Sequence, residues 1–306
     1  MEAKDWLAER FEENRGHLRA VAYRMLGSLS DAEDAVQEAW LRLNRHGADE
    51  IENLGGWLTT VVGRVCLDML RSRQSRREDP LERPDAPEPP AGQRRGTDPE
   101  MEAQMADSVG LALLVVLDRL APAERLAFVL HDLFDIPFEN IAAITGRSAD
   151  AARQLASRAR RRVRGVPAVP ETSLAEQRSL IARFLAALRG GDPQALVTLL
   201  APEFTAQIDA VAGAAGVPSG IHGAEAWAKE AVKAARGARI ARPALLDGAA
   251  GIIVAPKGRL FRALRFTFAA GKIASMEVIG DPAVLGALDV AVFDDAIGVL
   301  GENAVE

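Results

Sequence analysis

Residues 137–164, PFENIAAITGRSADAARQLASRARRRVR, constrain the fold of this chain more than any other stretch. Pro137 suits the first turn of a helix, where the backbone N–H it lacks has no partner anyway. Behind it, Ile141, Ala142 and Ile144 give a short helix one apolar side. Gly146 fits the left-handed position that ends such a helix. Ser148 fits the N-cap of a second helix, whose Ala152, Leu155, Ala156, Ala159 and Val163 pack inward. Two helices joined by so tight a turn form a helix-turn-helix. The second helix turns Arg147, Asp150, Arg153, Gln154, Ser157, Arg158 and Arg161 outward. Side chains near the N-terminus of a recognition helix reach base edges in the major groove. There Arg pairs with guanine and Gln with adenine. Arg160, Arg162 and Arg164 lie further along, where phosphate contacts give affinity rather than sequence. The alternative is a solvated basic face on a helical hairpin.

A formal net charge of −6 argues against nucleic acid as a partner only if the charge is evenly spread. It is not. Basic residues crowd into 71–77 and 153–164, while acidic residues dominate the first helices. Length and composition, 306 residues with 48% hydrophobic and 26% charged, fit two or three globular domains. No apolar run approaches the ~20 residues needed to span a bilayer, and the acidic start lacks the order of a signal peptide. Cys66 is the only cysteine, so no intrachain disulfide forms and a cytoplasmic location is expected. Residues 5–77 read as helices and 78–107 as a Pro-rich linker. Residues 108–166 are helical again, 174–286 mix helix and strand patterns, and 287–306 form a tail.

In the first helical segment Ser30 and Glu33 have the spacing of a capping box. Ala32, Ala35, Val36, Ala39, Trp40 and Leu43 then form one buried stripe. Asp31, Asp34, Glu38 and Arg42 line another face, which reads as solvated or as a binding surface. After a break at Gly55-Gly56, a helix over 57–73 sets Val61, Val62, Val65 and Leu70 against Arg64, Asp68, Arg71 and Arg73. Its terminal cations suit either the negative end of the helix dipole or phosphate.

Together these segments resemble the extracytoplasmic-function sigma factors. The stretch LSDAEDAVQEAWLRL (29–43) resembles the region 2 helix that docks on RNA polymerase. GWLTTVVGRVCLDMLRSR (56–73) resembles the part of region 2 that melts and reads the −10 element. Residues 117–163 resemble region 4, which reads the −35 element. The resemblance implies core RNA polymerase and promoter DNA as partners, with no cofactor. It gives Asp31, Asp34 and Glu38 to polymerase, and Asn53, Trp57, Arg64, Asp68 and Arg71 to the −10 element. The loop Asp49–Asn53 corresponds to the stretch that cradles a flipped base. The −35 set is Arg147, Ser148, Asp150, Arg153, Gln154, Ser157, Arg158 and Arg161. The large region 3 of housekeeping sigma factors is missing, and the linker carries only APEPP (86–90) in place of the Trp-Leu-Pro-Glu-Pro found in related chains.

Residues 174–286 resemble the SnoaL-like domain, an α+β cone of curved sheet and helices. Two helices are expected within 174–204, a third over 223–237, and strands over 252–281 with turns at Lys257-Gly258 and Ala270–Lys272. The fold class is therefore multidomain: two all-α sigma domains, then an α+β cone. The family's glycine-rich loop falls at Asp209–Gly216, and its tail motif at 281–285 keeps Pro282 and Leu285. Asp209, Pro282 and Leu285 are thus expected to be regulatory. Asp209 and His222 would serve an enzyme, but one Asp and one His are more often structural, and neither catalysis nor a metal is predicted. A small ligand in the cone fits a second reading, a helix-turn-helix regulator that senses it without acting as a sigma subunit. Oligomeric state is left open.

Overall fold

The computed structural model describes residues 2–46, 51, 53–78, 110–169, 171–213, 219–233 and 237–293. Two compact units emerge. The first comprises Met1–Gly110, Leu117–Arg160 and Ile297–Glu306, the second Leu111–Val116 and Arg161–Ala296.

Three helices build the core of the first unit: α1 (Glu2–Leu26), α2 (Leu29–His46) and α3 (Leu54–Glu78). The α2 stripe is buried as its periodicity requires, with Ala32, Ala35, Ala39 and Leu43 fully inside, as are Leu18, Val21 and Met25 of α1, the helix it packs on. Trp40 sits at the margin, its ring 4.9 Å from that of Phe11. The cap differs from expectation. Ser28 rather than Ser30 accepts the Asp31 N–H, at 3.4 Å, while Glu33 reaches Arg15 at 3.2 Å and Arg19 at 3.6 Å. Glu33 is drawn off because those two arginines stand beside it on α1, an offer stronger than one backbone N–H.

Helix α3 is longer than predicted and includes Gly55 and Gly56 in its first turn. Asn53 makes this possible: its side-chain oxygen accepts the Gly56 N–H at 3.0 Å, an N-cap that offsets two poor helix formers. Cys66 faces the core of this bundle, and burial pushes its thiol up to about 12.

Helices α4 (Leu111–Asp118), α5 (Pro122–Phe128), α6 (Phe138–Thr145) and α7 (Ala149–Arg164) follow. A π turn, Val129–Leu133, extends α5. Gly146 adopts φ 68° and closes α6, and the Ser148 hydroxyl accepts the Ala151 N–H at 3.2 Å to open α7. The helix-turn-helix therefore forms as read. Within the first unit α3 packs closely on α5 and α6, because Gly63 has no side chain to hold them off. A Cβ there would lie 3.3 Å from Ile144 and 3.4 Å from Leu130.

The second unit is α+β. Helices α8 (Glu171–Gly190), α9 (Pro193–Leu199) and α10 (Ala224–Lys233) pack on a seven-stranded sheet. Its strands are β1 (Leu200–Ile208), β2 (Gly220–His222), β3 (Ala241–Leu246), β4 (Ala249–Val254), β5 (Arg262–Ala269), β6 (Lys272–Ile279) and β7 (Val290–Ala291). Their order is β2-β1-β6-β5-β4-β3-β7, and among these neighbours only β1 and β6 run parallel. A short helix, α11 (Pro282–Ala287), leads into β7. Phe184, Phe204, Trp227 and Phe266 fill the space between helices and sheet, with the Phe184 and Trp227 rings 5.3 Å apart.

The second unit includes residues that the sequence places in the preceding helical segment. The Val163 carbonyl, in the last turn of α7, accepts the Val292 N–H at 2.9 Å. Gly165 fits against Ala291, and Gly258 against Leu114 of α4. Residues 111–116 and 161–164 are thus part of the α+β unit's own packing.

Candidate functional site

All eight residues assigned to −35 recognition are exposed on the helix-turn-helix, but their side chains are not equally available. Arg158 donates to Glu124 of α5 at 3.0 Å, and that carboxylate is only 8% exposed, so the pair ties α7 to its support. Arg153 bridges Asp150 at 2.6 Å and Glu139 at 3.3 Å, and lies over the Phe138 ring. Arg160, expected at phosphate, instead holds Asp132, whose side chain is 16% exposed. These arginines find acids near by, and a partly buried carboxylate must be paired. Arg147, Gln154, Ser157 and Arg161 have no side-chain partner among the described residues. Asp150, Gln154, Ser157 and Arg161 share one helical face at spacings of three and four.

The residues assigned to polymerase and the −10 element lie on α2 and α3. Asp34 is exposed and carries no ion pair among the described residues. Glu38 pairs with Arg42 at 2.8 Å, and Asp31 with Arg73 of α3 at 2.8 Å. An open groove between the two helices is lined by Asp31, Arg42, Val65, Asp68 and Arg73. Asp68 and Arg71 are both exposed and only 4.0 Å apart at their ion pair, which constrains neither. Trp57 is half-buried, and Asn53 is committed to capping α3. Arg64 donates to the Ala143 carbonyl of α6 at 2.9 Å. Of the loop Asp49–Asn53, residues 49, 50 and 52 lie outside the described residues.

The carboxyl end of α1 joins these helices. The last carbonyls of a helix lack intrahelical donors and carry its negative dipole end. Arg125 of α5 supplies Nε and Nη2 to the Arg24 carbonyl at 3.3 and 3.1 Å, and Arg73 reaches the Leu26 carbonyl at 3.4 Å. Arg125 is 3% exposed and lies 3.6 Å from Asp118.

In the α+β unit, Asp209 serves as a structural clip. Its Oδ1 accepts the Ala212 N–H at 2.5 Å, and its Oδ2 accepts those of Gly280 and Asp281 at 2.6 and 2.8 Å. Desolvation opposes ionisation, but these donors and Val211 outweigh it and hold the carboxyl below its ordinary range. His222 is exposed on β2 opposite Thr205 and is not brought to Asp209 as an acid–base partner. Asp281 caps α11 through the Ala283 and Val284 N–H groups, Leu285 is buried, and Pro282 is exposed. Part of the loop after Asp209, residues 214–218, lies outside the described residues. Asp209→Ala is expected to destabilise the α+β unit by about 2 kcal/mol, measured by urea unfolding. Because the folded pKa is depressed, this contribution is present at neutral pH and fades as pH falls below about 4.

A family model described as Sigma-70 region 2 matches residues 10–76, and one described as Sigma-70, region 4 matches residues 110–163. The helical part of the chain is therefore that of a sigma-70-type factor. "ECF RNA polymerase sigma factor SigJ" of Mycobacterium tuberculosis is 45% identical over 199 residues, which span 64% of this chain and 62% of that relative. "Probable ECF RNA polymerase sigma factor SigI" of the same species is 33% identical over 291 residues, 94% of this chain and 98% of the relative. The crystal structure of M. tuberculosis SigJ aligns over 91% of this chain and 98% of that one, with 32% identity and a TM-score of 0.43. The chain belongs to the extracytoplasmic-function (ECF) RNA polymerase sigma factors.

Proposed function

We propose that this chain binds core RNA polymerase through the exposed acidic face of α2 and directs it to promoters as an alternative sigma factor. In this reading α3 and the loop before it engage the −10 element, and α7 engages the −35 element through Arg147, Gln154, Ser157 and Arg161. The α+β unit regulates initiation, and the protein works in the bacterial cytoplasm. The observation that carries the reading is the pairing of two sigma regions in order, each folded with its assigned residues largely on open faces. Region 4 and the α+β unit share packing at Leu114, Val163 and Gly165. A cut near Val169 would strip region 4 of those partners, so the full chain is the form to test.

The −10 and −35 elements lie about 25 base pairs apart, about 85 Å of duplex at ~3.4 Å per pair. In the first unit α3, proposed to read the first, packs on α5 and α6, the helices that brace the other reader α7, through Gly63 and the Arg64 bond to Ala143. The two readers must part before both elements are held. Run-off transcription with core polymerase tests the proposal: the full chain should yield a promoter-specific product that core alone does not. No such product from any promoter in a genomic template library would refute it.

A further inference from the structure

We propose that the α+β unit carries a single-stranded DNA contact of its own, built from Arg239, Arg242, Arg259 and Arg262 around the exposed ring of Phe261. Between Ala231 and Arg265 the sole acidic residue is Asp247, against Lys233, Lys257 and six arginines, in a chain of net charge −6. Asp247 sits at the β3–β4 turn, where it pairs with Arg265 at 3.3 Å. The opposite end of those strands gathers positive charge. Ala241 pairs with Val254, Val254 pairs with Arg262, and the Phe261 N–H donates to the Val254 carbonyl. The start of β3, the end of β4 and the start of β5 therefore lie side by side, roughly 5 Å per strand apart.

Arg239 and Arg259 are exposed at this end and have no ion-pair partner among the described residues. Arg242 folds back onto the Arg239 carbonyl at 2.7 Å. Beside it, Arg189 bonds the Ala238 and Ala241 carbonyls at 3.0 and 2.7 Å. Its pKa is lowered by desolvation and then by the charge of Arg242, a sign that positive charge is concentrated here. Phe261 is 54% exposed and Ile240 40% exposed, both large apolar side chains left at the surface within the basic cluster. The Arg262 guanidinium lies 5.0 Å from the Phe261 ring centre, and its buried Nε has no hydrogen-bond partner.

Concentrated arginines attract the phosphodiester backbone, and an open ring stacks on a base only if that base is already unstacked. A guanidinium lying against the ring adds to its hold on a base. The combination fits a single strand better than a duplex, whose bases are covered by their neighbours. Such a strand is what promoter opening produces. None of these residues is among those assigned to polymerase, the −10 element or the −35 element, so this test and the transcription assay fail independently.

The experiment is fluorescence anisotropy of the full chain with an oligothymidylate of about 20 nucleotides and with a duplex of equal length, over a series of salt concentrations. Arg239→Ala/Arg259→Ala should flatten the logarithmic salt dependence for the single strand by about 1.4, since each lost phosphate contact removes about 0.7. Phe261→Ala should weaken the single strand about tenfold and leave the duplex nearly unchanged. All three side chains are exposed, so melting temperatures should stay at the wild-type value, and that check accompanies each variant. Unchanged binding in either variant, or equal loss on both DNAs, would overturn the proposal. So would loss of core-polymerase binding with DNA affinity intact, which would assign the patch to a protein partner.

Discussion

Arg125→Ala is expected to cost the first unit about 3 kcal/mol, one of the largest losses any single substitution here should produce. The guanidinium is buried, and burial pulls its pKa down to about 10 while Asp118 opposes the drop. A folded pKa below the ordinary value means that the charge itself costs stability at neutral pH. That cost is relieved only as pH climbs through about 10. The residue is favourable because of what it bonds. It closes the carboxyl end of α1 at the Arg24 carbonyl and pairs with Asp118. Alanine would leave that carbonyl unbonded in a dry site and open a cavity near Arg73, whose charge Arg125 feels. Urea unfolding measures the loss, and hydrogen exchange over residues 18–26 should locate it at the end of α1. A loss below about 0.5 kcal/mol, the range of ordinary surface changes, would show that Arg125 is not the keystone described.

Reversing charge at Asp34→Arg/Glu38→Arg should weaken binding to core polymerase by at least about a hundredfold, because like charges at a docked face cost several kcal/mol. Asp34 is exposed with no ion pair among the described residues, and Glu38 is held only by its helical neighbour Arg42. Neither supports the fold, so melting should barely change. Asp31 makes a poor choice for the same experiment. Its bond to Arg73 joins α2 to α3, and Arg73 in turn reaches the end of α1. Pull-down and fluorescence titration against core enzyme give the answer. Intact polymerase binding in the double variant would show that polymerase docks elsewhere than on this face of α2, whereas no polymerase binding by the unaltered chain would return weight to a helix-turn-helix regulator that acts without polymerase.

What could be read from the chain beforehand follows from the range of the forces involved. The helix-turn-helix was legible because Pro137, Gly146 and Ser148 act within a turn of themselves, and the inward stripe repeats every three or four residues. The roles of the arginines on α7 were not. Arg158 meets Glu124 34 positions away, Arg160 meets Asp132 28 away, and Arg125 meets Arg24 101 away. No periodicity encodes such pairs, so arginines that brace the module looked like those open to DNA. In the α+β unit, the β4–β5 and β5–β6 turns were legible from their glycines. The β3–β4 hairpin was missed although Asp247 and Gly248, at φ 51° and 80°, have the Asp-Gly signature of a tight hairpin. Asp209 is expected to be regulatory from the resemblance, with catalysis not predicted, and its structural role is hidden in the sequence because two of its backbone donors, Gly280 and Asp281, lie 71 and 72 positions away.

The contacts that Gly63, Arg64 and Arg125 make across the first unit also bear on how much of this factor a cell needs. On the proposed function, a chain whose α3 is packed on the helices that brace α7 must open that packing to engage a promoter. Measured affinity is then the intrinsic affinity scaled by the fraction of chains already parted. Every ~1.4 kcal/mol held in the closed arrangement raises tenfold the concentration at which holoenzyme forms. On the proposed function, the packing at Gly63 would shift to higher concentration the range over which holoenzyme forms. A substitution that loosens the packing at Gly63, which is not among the promoter-reading side chains, should shift that range downward.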